Sequence, residues 1–175
     1  MRDFVSDLYH FIVNIIMWFP CHPLRRLMCK IIMKNFSNSS SIRRKVDLRS
    51  PHKIIIGKNC NINKNCVLDG RFGLYIGNNV DIAQDVSIWT EQHDYNDPNF
   101  KAVGKAVKIE DYVWIASKAT ILPGVKLGRG TVVACGAVVT KNTPPLSIVG
   151  GIPAKVIGFR KDCMNYKLGT RPWVK

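Results

Sequence analysis

What this 175-residue chain lacks narrows its class quickly. Its six cysteines (Cys21, Cys29, Cys60, Cys66, Cys135 and Cys163) form no C-x-x-C pair, and no histidine pattern completes a zinc site with them. No disulfide framework emerges, so a reducing cytoplasm is the expected compartment. A G-x-S-x-G elbow and a Gly-rich phosphate loop are both missing, which speaks against an acyl-enzyme mechanism and against nucleotide-triphosphate chemistry. No apolar run reaches the roughly 20 residues of a bilayer span, and Asp3 and Asp7 stand where a signal peptide would carry basic residues. Acidic residues are scarce, 12 against 26 Lys and Arg, for a net charge of +14. Hydrophobic residues make up 46% of the chain, which excludes a disordered or low-complexity protein.

The positive charge collects at the ends. Residues 1–50 hold 9 basic and 3 acidic groups, and residues 155–175 hold 6 and 1. No nucleic-acid module or aromatic-interleaved basic face accompanies it, so no nucleic-acid partner is expected. A basic arm beside apolar sequence fits an anionic membrane surface at least as well. Phe4 to Phe19 predicts one helix, Pro20 to Pro23 breaks it, and Leu24 to Asn35 predicts a second. The second places Leu24, Leu27, Met28, Ile31 and Ile32 on one side, with Arg25, Arg26, Lys30 and Lys34 largely on the other. Residues 1–36 are thus a helix-Pro-helix leader that either packs on the protein or lies on a membrane. The polar and basic stretch 37–53 reads as a linker.

Beyond it lies a repeat of six. Aliphatic residues fall at Ile56, Ile62, Leu68, Ile76, Ile82, Ile88, Ile109, Ile115, Ile121, Leu127, Val133 and Val139. A small or branched residue follows four places on: Cys60, Cys66, Val80, Val86, Val113, Ala119, Val125, Thr131 and Ala137. A helix of 3.6 residues per turn smears such a stripe around its axis, whereas short strands joined by tight turns preserve it. The hexads predict a mainly β, triangular solenoid of about four coils over 54–144, each coil three strands. Cys60 and Cys66 occupy the small-residue slot and read as buried thiols.

The period breaks twice: Leu68 to Ile76 is two residues too long, and Ile88 to Ile109 fifteen too long. Both excesses fall between the third face and the first, so the bulge 69–73 is expected beside the loop 91–105. A long loop on a rigid scaffold is where function concentrates. His93 lies in it and is the one histidine of the repeat region, the others being His10, His22 and His52. An imidazole is the side chain best poised to take a hydroxyl proton near neutral pH. Asp94 or Glu91 could orient it. Asp69, at the adjacent bulge, could hydrogen-bond an acceptor hydroxyl, and Trp89 and Tyr95 could stack on a sugar ring, although Trp89 could equally fill a corner.

The I-G-x-x-x-x hexads, HDYNDPNF, the stretch VKIEDYVWIASKATILPGVKLGRGTVVACGAVVTKNTPP and IVGGIPAKVIG resemble the hexapeptide-repeat, acetyl-CoA-dependent O-acetyltransferases, nearest those that modify bacterial capsular and exopolysaccharide sugars. The resemblance covers residues 54–158. It implies a left-handed parallel β-helix, a homotrimer, acetyl-CoA as co-substrate without a metal, and direct transfer to a saccharide hydroxyl with His93 as base. It also implies coenzyme contacts at Ser117, Cys135, Thr140, Lys141 and Lys155, with the basic tail 145–175 contributing. Gly158 stands where an arginine is frequent, leaving Arg160 as the substitute. Acceptors such as serine, a maltoside or an antibiotic share these motifs. A carbonic-anhydrase-like site needs three histidines, and a non-catalytic solenoid needs no fifteen-residue excursion.

Overall fold

The computed structural model describes residues 2–168. Two helices, α1 (Arg2–Trp18) and α2 (His22–Ile32), precede a stack of two- and three-residue strands. The strands form three parallel sheets, one for each face of a triangular prism. In face one, Ile56 pairs with Ile76, Ile76 with Ile109 and Ile109 with Leu127. In face two, Ile62 pairs with Ile82, Ile82 with Ile115 and Ile115 with Val133. In face three, Leu68 pairs with Ile88, Ile88 with Ile121 and Ile121 with Val139. All twelve aliphatic residues are at most 2% exposed and together fill the prism.

Ten of the uninterrupted corners hold one residue in the left-handed region, three places after the aliphatic residue. Asn59, Asn65, Asn79, Asp85, Gly124, Gly130 and Gly136 hold that position with φ between 53° and 82°. These residue types take that conformation at least cost. Lys45, Tyr112 and Lys118 hold it too, which shows the stack overriding local preference. The slot one place later is filled by the small side chain. Cys60 Sγ lies 3.0 Å from the Gly77 carbonyl, and Cys66 Sγ 3.1 Å from that of Ala83. Burial pushes both thiols up to about 11, so they remain protonated and inert.

The solenoid is longer than four coils. The end of the expected leader and most of the expected linker 37–53 form the first coil instead: Asn35–Phe36, Ser41–Ile42 and Asp47–Arg49 pair with the three strands that follow them. Phe36, Ile42 and Leu48 continue the period of six and are buried. The serine run concealed this. Ser40 takes the small-residue slot, donating to the Gly57 carbonyl (2.7 Å) and accepting from the Cys60 N–H (2.9 Å). At the other end Thr143 bridges to Leu127 and Val149 pairs with Val133, so five complete coils are followed by part of a sixth. The expected tail begins instead as a hairpin, Ser147–Gly151 against Ala154–Phe159, that extends face two. Its last residues, 169–175, lie outside those described.

The helices differ from expectation in which side they bury. α1 packs Val13 and Met17 against the first coil, and α2 packs Arg25 and Cys29. Phe4, Phe11, Ile15 and Trp18 of α1, with Leu27 and Ile31 of α2, stay more than half exposed. The apolar stripe of α2 is therefore divided: Leu24, Leu27 and Ile31 face outward while an arginine faces in.

Candidate functional site

Three successive coils carry an insertion between faces three and one, because the new first coil adds a third. Residues 49–53, 69–73 and 89–106 stack there in order. The Gly70 N–H donates to the Arg49 carbonyl (2.8 Å), and Lys53 Nζ to the Arg71 carbonyl (2.9 Å). The Phe72 N–H donates to Thr90 Oγ1 (3.0 Å). Contact is close enough to demand glycine: a Cβ on Gly104 would lie 2.3 Å from the Phe72 ring and 2.4 Å from the Thr90 carbonyl.

Asp69 organises this corner. It is fully buried, and its carboxylate accepts from Arg71 Nε, the Arg71 N–H, an Arg71 terminal nitrogen (each 3.0 Å) and the Thr90 N–H (2.9 Å). Burial raises its pKa, but these hydrogen bonds outweigh burial and hold it below the ordinary carboxylate value. With its lone pairs occupied and no exposed surface, Asp69 does not offer itself to an acceptor hydroxyl. It fixes Arg71 instead, whose other terminal nitrogen lies 2.5 Å from Glu91 Oε1. Arg71 thus ties the bulge to the root of the loop.

The loop is a built arm rather than a slack excursion. Glu91–His93 pairs antiparallel with Ala102–Gly104. At its tip the carboxylates of Asp94 and Asp97 accept from the N–H groups of Asn96 (2.9 Å) and Asn99 (2.8 Å), each closing a turn. Asp94 is therefore engaged in its own turn and does not hold the histidine, and Glu91 is engaged by Arg71. His93 Nδ1 lies 2.7 Å from the Phe100 carbonyl, and the imidazole stacks on the Phe100 ring at 4.3 Å and 6°. A carbonyl only accepts, so Nδ1 donates, and in the neutral imidazole that tautomer leaves Nε2 with its lone pair. Sequence reasoning missed Phe100 and Arg71. No residue pattern identifies Phe100, whose carbonyl reaches His93 through the return of the hairpin.

Tyr95 is 83% exposed at the arm's tip. Trp89 sits half-buried at the arm's root with the Arg49 guanidinium 4.9 Å above its ring, which is the corner-filling alternative.

The coenzyme candidates divide. Ser117 and Cys135 stack on successive coils at the corner between faces two and three, where the Gly136 N–H donates to the Ser117 carbonyl (3.0 Å). Thr140 and Lys141 are exposed where face three ends. Lys155 is exposed on the terminal hairpin opposite Gly150. Arg160 lies apart from the Ser117–Cys135 column, in a groove at the start of face two with Asn79, Asp81, Trp114 and Val132. His93 and that column thus stand at different corners of one prism. Among the described residues no group of His, Cys, Asp and Glu could hold a metal ion.

Known proteins resemble this chain throughout. Residues 106–141 match the family described as bacterial transferase hexapeptide (six repeats), and residues 53–88 the hexapeptide repeat of succinyl-transferase. A putative acetyltransferase of Schizosaccharomyces pombe is 33% identical over 137 residues, 75% of this chain and 65% of that protein. The galactoside O-acetyltransferase of Escherichia coli is 34% identical over 107 residues, 59% of this chain and 53% of that protein. The chain therefore spans between about half and two thirds of these relatives. A hexapeptide-repeat acetyltransferase from Vibrio cholerae, solved with acetyl coenzyme A, superposes with a TM-score of 0.81 at 27% identity, covering 87% of this chain and 86% of that one.

Proposed function

Because two hexapeptide-repeat family models match this chain and acetyltransferases resemble it in sequence and fold, we propose that it moves an acetyl group from acetyl-CoA to a saccharide hydroxyl, with His93 as general base. The observation that carries the reading is the contact of His93 Nδ1 with the Phe100 carbonyl, which in the neutral ring places the proton on Nδ1 and leaves Nε2 for a substrate. In the step, Nε2 takes the hydroxyl proton as the sugar oxygen attacks the thioester carbonyl. The C–O bond forms, the C–S bond breaks, and the proton passes to the departing thiolate. Asp69, Arg71 and Glu91 act as positioning residues for the arm, and Asp94 shapes its turn.

The reading requires more than one copy. His93 and the Ser117–Cys135 column lie a whole face apart on one chain. A homotrimer that brings the arm of one prism against the column of the next joins them and shields the exposed His93–Phe100 stack from water. In that groove small side chains give the thioester arm room, while Lys141 and Lys155 meet the coenzyme phosphates. Thioester cleavage with acetyl-CoA and a panel of sugars tests the assignment. Acceptor-dependent release of CoA that disappears in His93→Ala supports it, and absence of turnover with every saccharide, alongside turnover of serine or chloramphenicol, replaces the acceptor.

The acceptor is carried at a membrane in this proposal. No described helix is long and apolar enough to cross one. The exposed face of α1 and α2 nevertheless presents Phe4, Phe11, Ile15, Trp18, Leu27 and Ile31, flanked by Lys30, Arg44 and Lys45. That combination suits the interface of an anionic bilayer, where each nearby cation contributes about 1 kcal/mol. Full-length protein is expected to sediment with phosphatidylglycerol vesicles at low salt, with the substitution Phe11→Ser/Ile15→Ser/Ile31→Ser releasing it without loss of the trimer. Failure of the unaltered protein to bind ends the membrane reading and leaves the transfer chemistry standing.

A further inference from the structure

The elbow between α1 and α2 holds a charge that the fold leaves unbalanced. Arg25, in the first turn of α2, is 2% exposed. One terminal nitrogen donates to the Phe19 carbonyl, while its Nε is buried without a hydrogen-bond partner. Every ion pair formed among the described residues involves other side chains. Burial, opposed by the neighbouring Cys21 and Cys29 and reinforced by Arg43 and Arg44, pushes the guanidinium below its ordinary pKa. A buried charge without a counter-charge is strongly unfavourable unless a ligand supplies one.

Arg25 lines a groove of about 390 Å³ with Arg43, Arg44, Asn63, Lys64 and Gln84. These side chains follow Ile42, Ile62 and Ile82, which pair in register, so they form a column on three successive coils. The walls carry four cations and two amides and no carboxylate. The volume lies within the range of small-molecule sites. The column is the first-coil end of the corner whose later coils hold Ser117 and Cys135, with the Gln84 carbonyl accepting from the Lys118 N–H (3.1 Å) where the two meet, and the arm stands at a different corner.

We propose that this groove binds a phosphate or diphosphate group, with Arg25 as its buried floor and Arg44 and Lys64 as its rim. Guanidinium groups match phosphate oxygens in pairs, and an ammonium adds a mobile cation. A phospholipid or lipid-linked headgroup and a soluble phosphate ester offer the same chemistry. The neighbouring exposed Phe19, Leu24 and Leu27 favour the lipid-borne source.

Thermal unfolding at constant ionic strength, titrated with inorganic phosphate and with pyrophosphate, reads the site directly. The protein is expected to gain Tm, more with pyrophosphate than with phosphate. Arg44→Ala/Lys64→Ala, whose side chains are exposed and make no described packing contact with the core, is expected to weaken the apparent affinity at least tenfold. The charge-matched control Lys58→Ala/Lys161→Ala should leave it unchanged. Arg25→Met removes the floor at the risk of loosening the elbow, so the rim variant carries the test. No shift in the unaltered protein, as when carboxylates of a second copy already fill the groove, overturns the proposal. Equal shifts in all three proteins do the same, because they report diffuse screening. A raised KM for acetyl-CoA in the rim variant also overturns it, by assigning the groove to the coenzyme. Pyrophosphate that displaces the protein from phosphatidylglycerol vesicles identifies a headgroup, and binding without displacement identifies a soluble ester. Either result supports the site.

Discussion

The corner between faces two and three turns in the same way on each coil, whereas the corner between faces three and one is interrupted on three coils in succession. At the first, Lys45, Asn65, Asp85, Lys118 and Gly136 occupy one left-handed position on five stacked turns. At the second, the turn is replaced by the strip 49–53, the Asp69 bulge and the His93 arm. Each coil of a solenoid touches only its neighbours, so an insertion is tolerated where the coils beside it also bulge. The regular corner supplies rigidity and a column of near-identical steps. The irregular corner supplies chemistry, held to the stack by the chain that runs from the buried Asp69 through Arg71 to Glu91.

Substitutions on the two sides should separate stability from turnover. The largest effect is expected at His93→Ala, with kcat lowered roughly 10²–10⁴-fold and unfolding unchanged, because the side chain is exposed and stacks on the exposed Phe100. Steady-state kinetics beside a melting curve decides it, and near-normal turnover of a folded variant removes the histidine from the mechanism.

On the regular side, Ile115→Ala should do the reverse. Ile115 is fully buried at the centre of face two, so its truncation should cost about 2–5 kcal/mol in denaturant unfolding. The fraction that remains folded should keep its kcat.

Asp69→Asn sits between the two regions. It leaves Arg71, about a third exposed, with Glu91 as its remaining anion, for an expected loss of about 2–3 kcal/mol. Because the folded-state pKa of Asp69 is depressed, its contribution is fully present above the ordinary carboxylate value and disappears as the pH falls through the folded value. Stability of the unaltered protein should therefore decline on the acid side below about pH 4, and more shallowly in Asp69→Asn. Equal slopes would mean that the pair does not anchor the arm.

Asp94→Asn should change kcat only a few-fold, since the amide oxygen still accepts from the Asn96 N–H and Phe100, not Asp94, orients the histidine. A loss comparable to that of His93→Ala would return Asp94 to the reacting centre. The smallest perturbation is chemical. Iodoacetamide should modify the exposed Cys21, Cys135 and Cys163 in the native protein and spare Cys29, Cys60 and Cys66, whose thiols burial holds up at about 12, 11 and 11. Acetyl-CoA should slow reaction at Cys135 if that residue lines the coenzyme groove.

The period of six determined the solenoid by itself, because only a strand-and-corner unit returns an aliphatic residue to the axis every six positions. It also determined the common corner of the bulge and the arm, since counting the two excess lengths needs no coordinates. Ile56 to Val139 were legible as core for that reason. Phe36, Ile42 and Leu48 were concealed by their polar neighbours, because a buried Ser40 can serve as a small residue once its hydroxyl is bonded on both sides. What each polar side chain near the arm does was decided only in three dimensions. Asp69, Glu91 and Asp94 are equivalent as letters, yet one is sealed under Thr90, one is taken by Arg71 and one closes a turn. The residue that holds the histidine contributes a backbone carbonyl, which no side-chain pattern records. The burial of Arg25 in place of the leucines beside it likewise follows from packing α2 against a coil that the composition had concealed.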